Sequence, residues 1–127
     1  MKFLMDTGFL MNVMEFRIDL IAELMKFGRP ELCTVDLVVK ELQKMSGGRG
    51  RKSRWARLSI AFLENMNVKV IASEGGHTDH QILRHALEED MVVCVVDKRL
   101  KIRLKESGAT IITIRQRKYL VRDSPRQ

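Results

Sequence analysis

The sequence predicts an α/β domain built on a mainly parallel sheet of four to five strands. Three observations lead there. Short apolar runs, many rich in Val and Ile, recur along the chain. They are continuous rather than alternating, which suits strands buried on both faces. Between them lie segments whose apolar residues follow the 3.6-residue period of a helix. Because the two kinds alternate from one end to the other, the chain reads as a series of βαβ units.

Taken in order, Lys2–Met5 is a short first strand. Phe9–Phe27 holds one helix, or two with a kink, and Gly28-Arg29-Pro30 stops it. Leu32–Val35 is the second strand, and Leu37–Met45 the next helix, with Asp36 as its expected N-cap. "SGGRGRKSR", residues 46–54, carries three glycines and four basic residues and reads as a mobile basic loop. Arg54–Asn65 is a helix, with Trp55, Leu58, Ala61, Phe62 and Asn65 on the helical period. Val68–Ile71 is β-branched and ends at "SEGG". Asp79–Glu89 is a helix with a Ser/Thr-x-x-Glu/Gln capping box in Thr78 and Gln81. Met91–Val96 gives the strongest strand signal, Lys98–Glu106 is a helix closed by Gly108, and Thr110–Ile114 is the fifth strand. After Tyr119 the tail adds an edge strand, and residues 120–127 are expected to fray. There is no internal repeat, so residues 1–127 are read as a single domain.

Composition narrows the class of protein. The 127 residues are 45% hydrophobic, enough for a sizeable core. Twenty-three basic against 16 acidic residues give a formal charge of +7, which favours a polyanionic partner, nucleic acid above all. Cys33 and Cys94 both sit in apolar runs and read as buried free thiols of a reducing compartment. No apolar run approaches the ~18 residues of a membrane helix, and no cleavage site follows the N-terminus. The expectation is therefore a cytoplasmic protein with no membrane partner.

Two of the apolar runs end in a carboxylate, Asp6 and Asp97. In an open parallel sheet the C-terminal strand ends share one rim, and ligands bind outside it. Asp79 opens a helix after a glycine pair, and Glu41 lies about one turn into its own helix. Each acid alone reads best as a cap or a solvated helix residue. Together they read differently. Two carboxylates ~5 Å apart repel by ~3 kcal/mol at an effective dielectric of ~20. A rim that gathers several of them must either raise their pKa values or hold a cation. Oxygen ligands select hard ions such as Mg2+ or Mn2+, which grip phosphates and acidify water. A basic protein with such a rim suggests a nuclease.

These residues resemble the PIN domain, a family of metal-dependent ribonucleases, over nearly the whole chain. "MDTGFLM" resembles the family's opening strand, Asp and Thr/Ser, here Asp6 and Thr7. "VVKEL" resembles the helix that presents the glutamate, here Glu41. "TDHQILRHA" resembles the Asp-x-x-Ile/Leu-x-x-x-Ala helix, with Asp79, Ile82 and Ala86. "VVDKRLKIRLKESGATIITIRQ" resembles the last catalytic strand and the closing strand, with Asp97. The resemblance implies a three-layer α/β sandwich and an Mg2+ or Mn2+ site that hydrolyses single-stranded RNA. Asp6 and Asp97 would be the principal ligands, Glu41 and Asp79 would hold or orient water, and Thr7 would support them. It also implies frequent homodimers, toxins held by an antitoxin protein, and members that trim ribosomal RNA precursors. One position departs from the pattern: the family places Thr or Ser two residues before the last Asp, where this chain has Val95. That departure motivates an alternative, a non-catalytic RNA-binding or ribosome-assembly protein of the same fold.

Arg49, Arg51, Lys52 and Arg54, with Lys98 and Arg99, are the expected RNA-binding cations. Trp55 is expected in the core rather than stacked on a base. His77, His80 and His85 cluster near one helix but lack the paired cysteines of a zinc site. No Gly-x-x-x-x-Gly-Lys-Ser/Thr phosphate loop and no Gly-x-Ser-x-Gly elbow occurs.

Overall fold

The computed structural model describes residues 1–123. Six strands, β1 (Lys2–Met5), β2 (Glu31–Val35), β3 (Lys69–Ile71), β4 (Val92–Cys94), β5 (Ile111–Arg115) and β6 (Tyr119–Asp123), form one sheet in the order β3-β2-β1-β4-β5-β6. The first five strands run parallel, and β6 folds back antiparallel on β5 from Ile111↔Asp123 to Arg115↔Tyr119. The expected edge strand therefore exists and makes the sheet one strand wider than predicted; residues 120–123, expected to fray, are paired in it, and residues 124–127 of that tail lie outside the described residues. Phe3, Leu4 and Met5 are each fully buried in succession, as a central strand covered on both faces requires.

The helices are α1 (Thr7–Glu15), α2 (Leu20–Met25), α3 (Asp36–Ser46), α4 (Arg51–Asn65), α5 (Thr78–Glu88) and α6 (Lys98–Glu106). Strand order fixes the layer each one joins. From β1 through β2 to β3 the chain steps one way across the sheet; from β3 to β4 it reverses, crossing β2 and β1, and then continues to β5. Right-handed crossovers put the helices of the two directions on opposite faces. Accordingly α1, α3 and α4 pack on one another, and α5 packs on α6. The result is the expected three-layer sandwich.

Of the two forms expected for Phe9–Phe27, the chain takes the pair of helices: Arg17 adopts a left-handed φ of 55°, and Asp19 then caps α2 by accepting from the Ala22 amide at 3.2 Å. Several other local expectations need correction. The basic stretch 46–54 is mostly helix, since Ser46 ends α3 and Arg51 starts α4. Only residues 47–50 connect them, and the Arg57 guanidinium donates to the Ser46 and Gly48 carbonyls at 2.9 and 3.1 Å. Asp36 does not cap α3; it is the first helical residue, and it accepts from the Ser73 hydroxyl at 2.5 Å and the Ser73 amide at 3.2 Å. The Thr78–Gln81 capping box does not form either, because each side chain has a stronger claim elsewhere. Thr78 donates its hydroxyl to Glu41, and the Gln81 amide donates to the Gly75 carbonyl at 2.7 Å.

Cys33 and Cys94 are buried and unpaired, as expected. Trp55 is half-buried against the core, with the Arg54 guanidinium 5.4 Å above its ring. No helix among the described residues is long and apolar enough to cross a membrane.

Candidate active site

The reversal of strand order falls between β1 and β4, whose C-terminal ends lie side by side. Such a switch point opens a crevice, because the connections leave the rim in opposite directions. Asp6 leaves β1 there and Asp97 follows β4 by three residues. Hydrogen-bonded strands lie ~4.8 Å apart, so the fold itself brings the two acids close. The Asp6 amide donates to the Cys94 carbonyl at 3.1 Å, tying the start of α1 to β4. Gly8 permits that approach: a Cβ there would stand 3.3 Å from a Val96 methyl.

Each acid is presented by a different element. Asp6 occupies the N-cap position of α1 with extended backbone, but its side chain makes no capping bond. It is 7% exposed. Burial pushes its carboxyl up to about 7, and the charges of Asp79, Glu41 and Asp97 add to the effect against a lowering hydrogen bond from the Thr7 amide. Asp97 does cap α6, accepting from the Leu100 amide at 2.8 Å through Oδ1. Its structural role and its field on Asp6 coexist. Asp79 sits in the first turn of α5; burial raises its carboxyl, as do Asp97 and Glu41, while Arg103 and His77 oppose them. All four predicted acids thus share one electrostatic neighbourhood, with Glu41 coming from one helical layer and Asp79 from the other.

Glu41 is the best-positioned of the four. The Thr7 hydroxyl donates to its Oε2 at 2.5 Å, and the Thr78 hydroxyl donates to its Oε1. Both oxygens are fixed, one by the β1–α1 junction and one by the start of α5. Sequence reasoning gave Thr7 a supporting role and missed Thr78. The available signal was a Thr immediately before Asp79, read there only as a helix cap. Val95 is fully buried and presents no hydroxyl to the rim.

The donor set suits a hard divalent cation: carboxylates only, one of them buried and discharging its charge by protonation where no cation neutralises it. Among the described residues no three His, Cys, Asp or Glu side chains stand together as one ion's ligands. Mg2+ tolerates that arrangement, since it is held by one or two carboxylates and keeps its remaining waters.

The expected RNA-binding cations fall in two places. Lys98 and Arg99 are exposed in the first turn of α6, directly after Asp97. Arg49, Arg51, Lys52 and Arg54 are exposed on the α3–α4 turn and the start of α4. The cation with the largest effect on Asp79 is Arg103 of α6, which the sequence did not single out.

A doubly wound sheet with a carboxylate rim at its switch point is the architecture of a PIN-type domain. A family model described as a PIN like domain matches residues 3–117, and the chain belongs to that family. Ribonuclease VapC4 of Methanocaldococcus jannaschii is 27% identical over 122 residues, spanning 93% of both chains. Ribonuclease VapC9 of Archaeoglobus fulgidus is 29% identical over 107 residues, spanning 84% of this chain and 77% of its own. Among solved structures, that of the PIN domain endonuclease Utp24 superposes with a TM-score of 0.82 at 21% identity, covering 97% of this chain and 91% of the other. A domain of a functionally unknown protein from M. jannaschii superposes at 0.62 with 20% identity over 90% of this chain and 91% of its own. At those identities the structural likeness establishes the fold.

Proposed function

We propose that the chain is a metal-dependent endoribonuclease that hydrolyses phosphodiester bonds of single-stranded RNA at the rim formed by Asp6, Glu41, Asp79 and Asp97. The observation that carries the reading is the buried Asp6 carboxyl, raised to about 7 and set in the field of the three other acids. Asp6 makes no capping bond that would account for its placement, and a divalent cation at the rim would neutralise the charges gathered there. The two relatives that are ribonucleases by name support the same activity.

Asp6 and Asp97 would hold the ion, Mg2+ or Mn2+, and Glu41 and Asp79 would hold or orient water beside it. A bound ion would neutralise the rim, bind the phosphate and acidify the attacking water. Thr7 and Thr78 keep the Glu41 carboxylate in one orientation, so the chain does not spend binding energy ordering it. Lys98 and Arg99 hold the backbone next to Asp97.

The test compares wild type with Asp6→Asn on unstructured RNA in Mn2+, alongside calorimetric titration of Mn2+ without RNA. Cleavage and tight ion binding by wild type alone are expected. Equal cleavage by both proteins rejects the assigned roles. The non-catalytic reading suggested by Val95 is not favoured, since two relatives are ribonucleases by name. The toxin form of the activity, with an antitoxin partner, a homodimeric state and a cytoplasmic location, belongs to the same reading. Light scattering of the purified chain tests the dimer.

A further inference from the structure

Beside Glu41 the rim opens into a cleft of about 720 Å3 between α3 and the loop that leads into α5. Its α3 wall carries Lys40, Gln43 and Lys44, and its loop wall carries His77. Lys40 and Lys44 are one helical turn apart and so share a face, with Glu41 next to Lys40 in sequence. Both lysines are exposed, and neither forms an ion pair among the described residues.

The loop wall is not loosely hung. Asp36 accepts from the Ser73 amide and hydroxyl, Gln81 donates to the Gly75 carbonyl, and Thr78 donates to Glu41. These bonds tie both ends of the loop to α3 and to its own helix, so the cleft exists before any ligand arrives. A preformed trough with two unpaired cations, an imidazole and an amide, ending at a catalytic carboxylate, has the chemistry to hold a polyanion.

Topology says which part of the polyanion. The strand order β2-β1-β4 puts α3, which follows β2 and carries Glu41, on the β2 side of Asp6, and puts Asp97, Lys98 and Arg99 on its β4 side. The cleft lies beyond Glu41, on the opposite flank. We propose that this cleft is the subsite for the RNA segment on the β2 side of the cut, with Lys40 and Lys44 contacting its phosphates. It rests on the ribonuclease reading and adds the direction in which the strand crosses the site.

The experiment measures binding of a fluorescein-labelled oligouridylate across a series of NaCl concentrations, in the full chain carrying Asp6→Asn so that the probe survives. Single-stranded contacts contribute about 0.7 to the log–log salt slope per phosphate. Adding Lys40→Ala and Lys44→Ala should therefore weaken binding and flatten the slope by about 1.4. A control pair, Lys2→Ala and Lys69→Ala, removes equal charge from the N-terminal ends of β1 and β3 and should leave the slope unchanged. In the active chain the cleft pair should raise KM with kcat held. An unaltered slope in the cleft pair, or an equal loss in the control pair, overturns the subsite. Cleavage of RNA by wild type in Mn2+ is scored separately, so absence of cutting with the slope effect intact removes the nuclease and keeps the binding cleft.

Discussion

At the scale of single residues, Asp6 determines how the ion-free protein responds to pH. Its carboxyl rises from an ordinary value of 3.8 to about 7 on folding, so the folded state holds a proton that the unfolded state releases. Stability should therefore fall as pH rises from ~4 to ~7 and level off above that, by on the order of 4 kcal/mol. Urea unfolding in EDTA across that range checks it; Asp6→Asn should lose most of that fall and be more stable at pH 8. Thr7→Val removes the donor to Glu41 Oε2 while keeping the shape, and should cost cleavage about tenfold or more with the fold retained. Thr7→Ser should recover most of the loss in the same cleavage assay. Asp6, Asp79 and Asp97 were legible because each stands where an apolar run or a glycine pair gives way to a helix, whereas Glu41, inside its helix, was marked by the resemblance of its "VVKEL" segment. Thr78 was not, since a hydroxyl at a helix start has a local use, and only the fold shows that Glu41 is a better acceptor.

At the scale of elements, the sequence located every helix and strand of the parallel sheet but misassigned some of their ends. Periodicity senses the buried face of a segment, whereas ends depend on which polar group finds a partner. Asp36 looked like a cap, yet it bonds to Ser73 on the far side of β3, a contact between residues 37 positions apart. Asp36→Ala should free the loop between β3 and α5: amide exchange at Ser73 should quicken, and stability should drop by ~1 kcal/mol. The Ser73 hydroxyl holds the Asp36 carboxyl below its usual value. Its contribution is thus present above the unfolded pKa and disappears as pH falls, opposite in sign to that of Asp6. The stretch 46–54 was misread because its glycines are confined to residues 47, 48 and 50, after which Arg and Lys are good helix formers. The break at Arg17 has no Gly or Pro to announce it, although Asp19, an N-cap residue type ahead of an apolar run, was a readable sign.

At the scale of the whole molecule, the core and the two cysteines make a further prediction. Cys94 is fully buried and burial drives its thiol well above the ordinary range. Thiol reagents should label it only as fast as the protein opens, while denaturant should release both thiols without reductant. Phe3→Ala, in the most covered strand, should cost ~3–5 kcal/mol in chemical denaturation. The parallel order itself was foreseeable, because continuous apolar strands separated by helices leave few other topologies; that Glu41 and Asp79 would come from opposite layers required the strand reversal. One contact makes that reversal mechanical. The hydrogen bond from Thr78 to Glu41 bridges the two helical sheets across the mouth of the crevice, so it works as a latch between them. A cation held at Asp6 and Asp97 would change the field on Glu41 and so on this bond, and the front of α5 should register the arrival as shifted amide resonances at Thr78 and Asp79 during an Mg2+ titration. Occupancy at the centre would then be signalled at the perimeter, where an approaching strand first touches the protein.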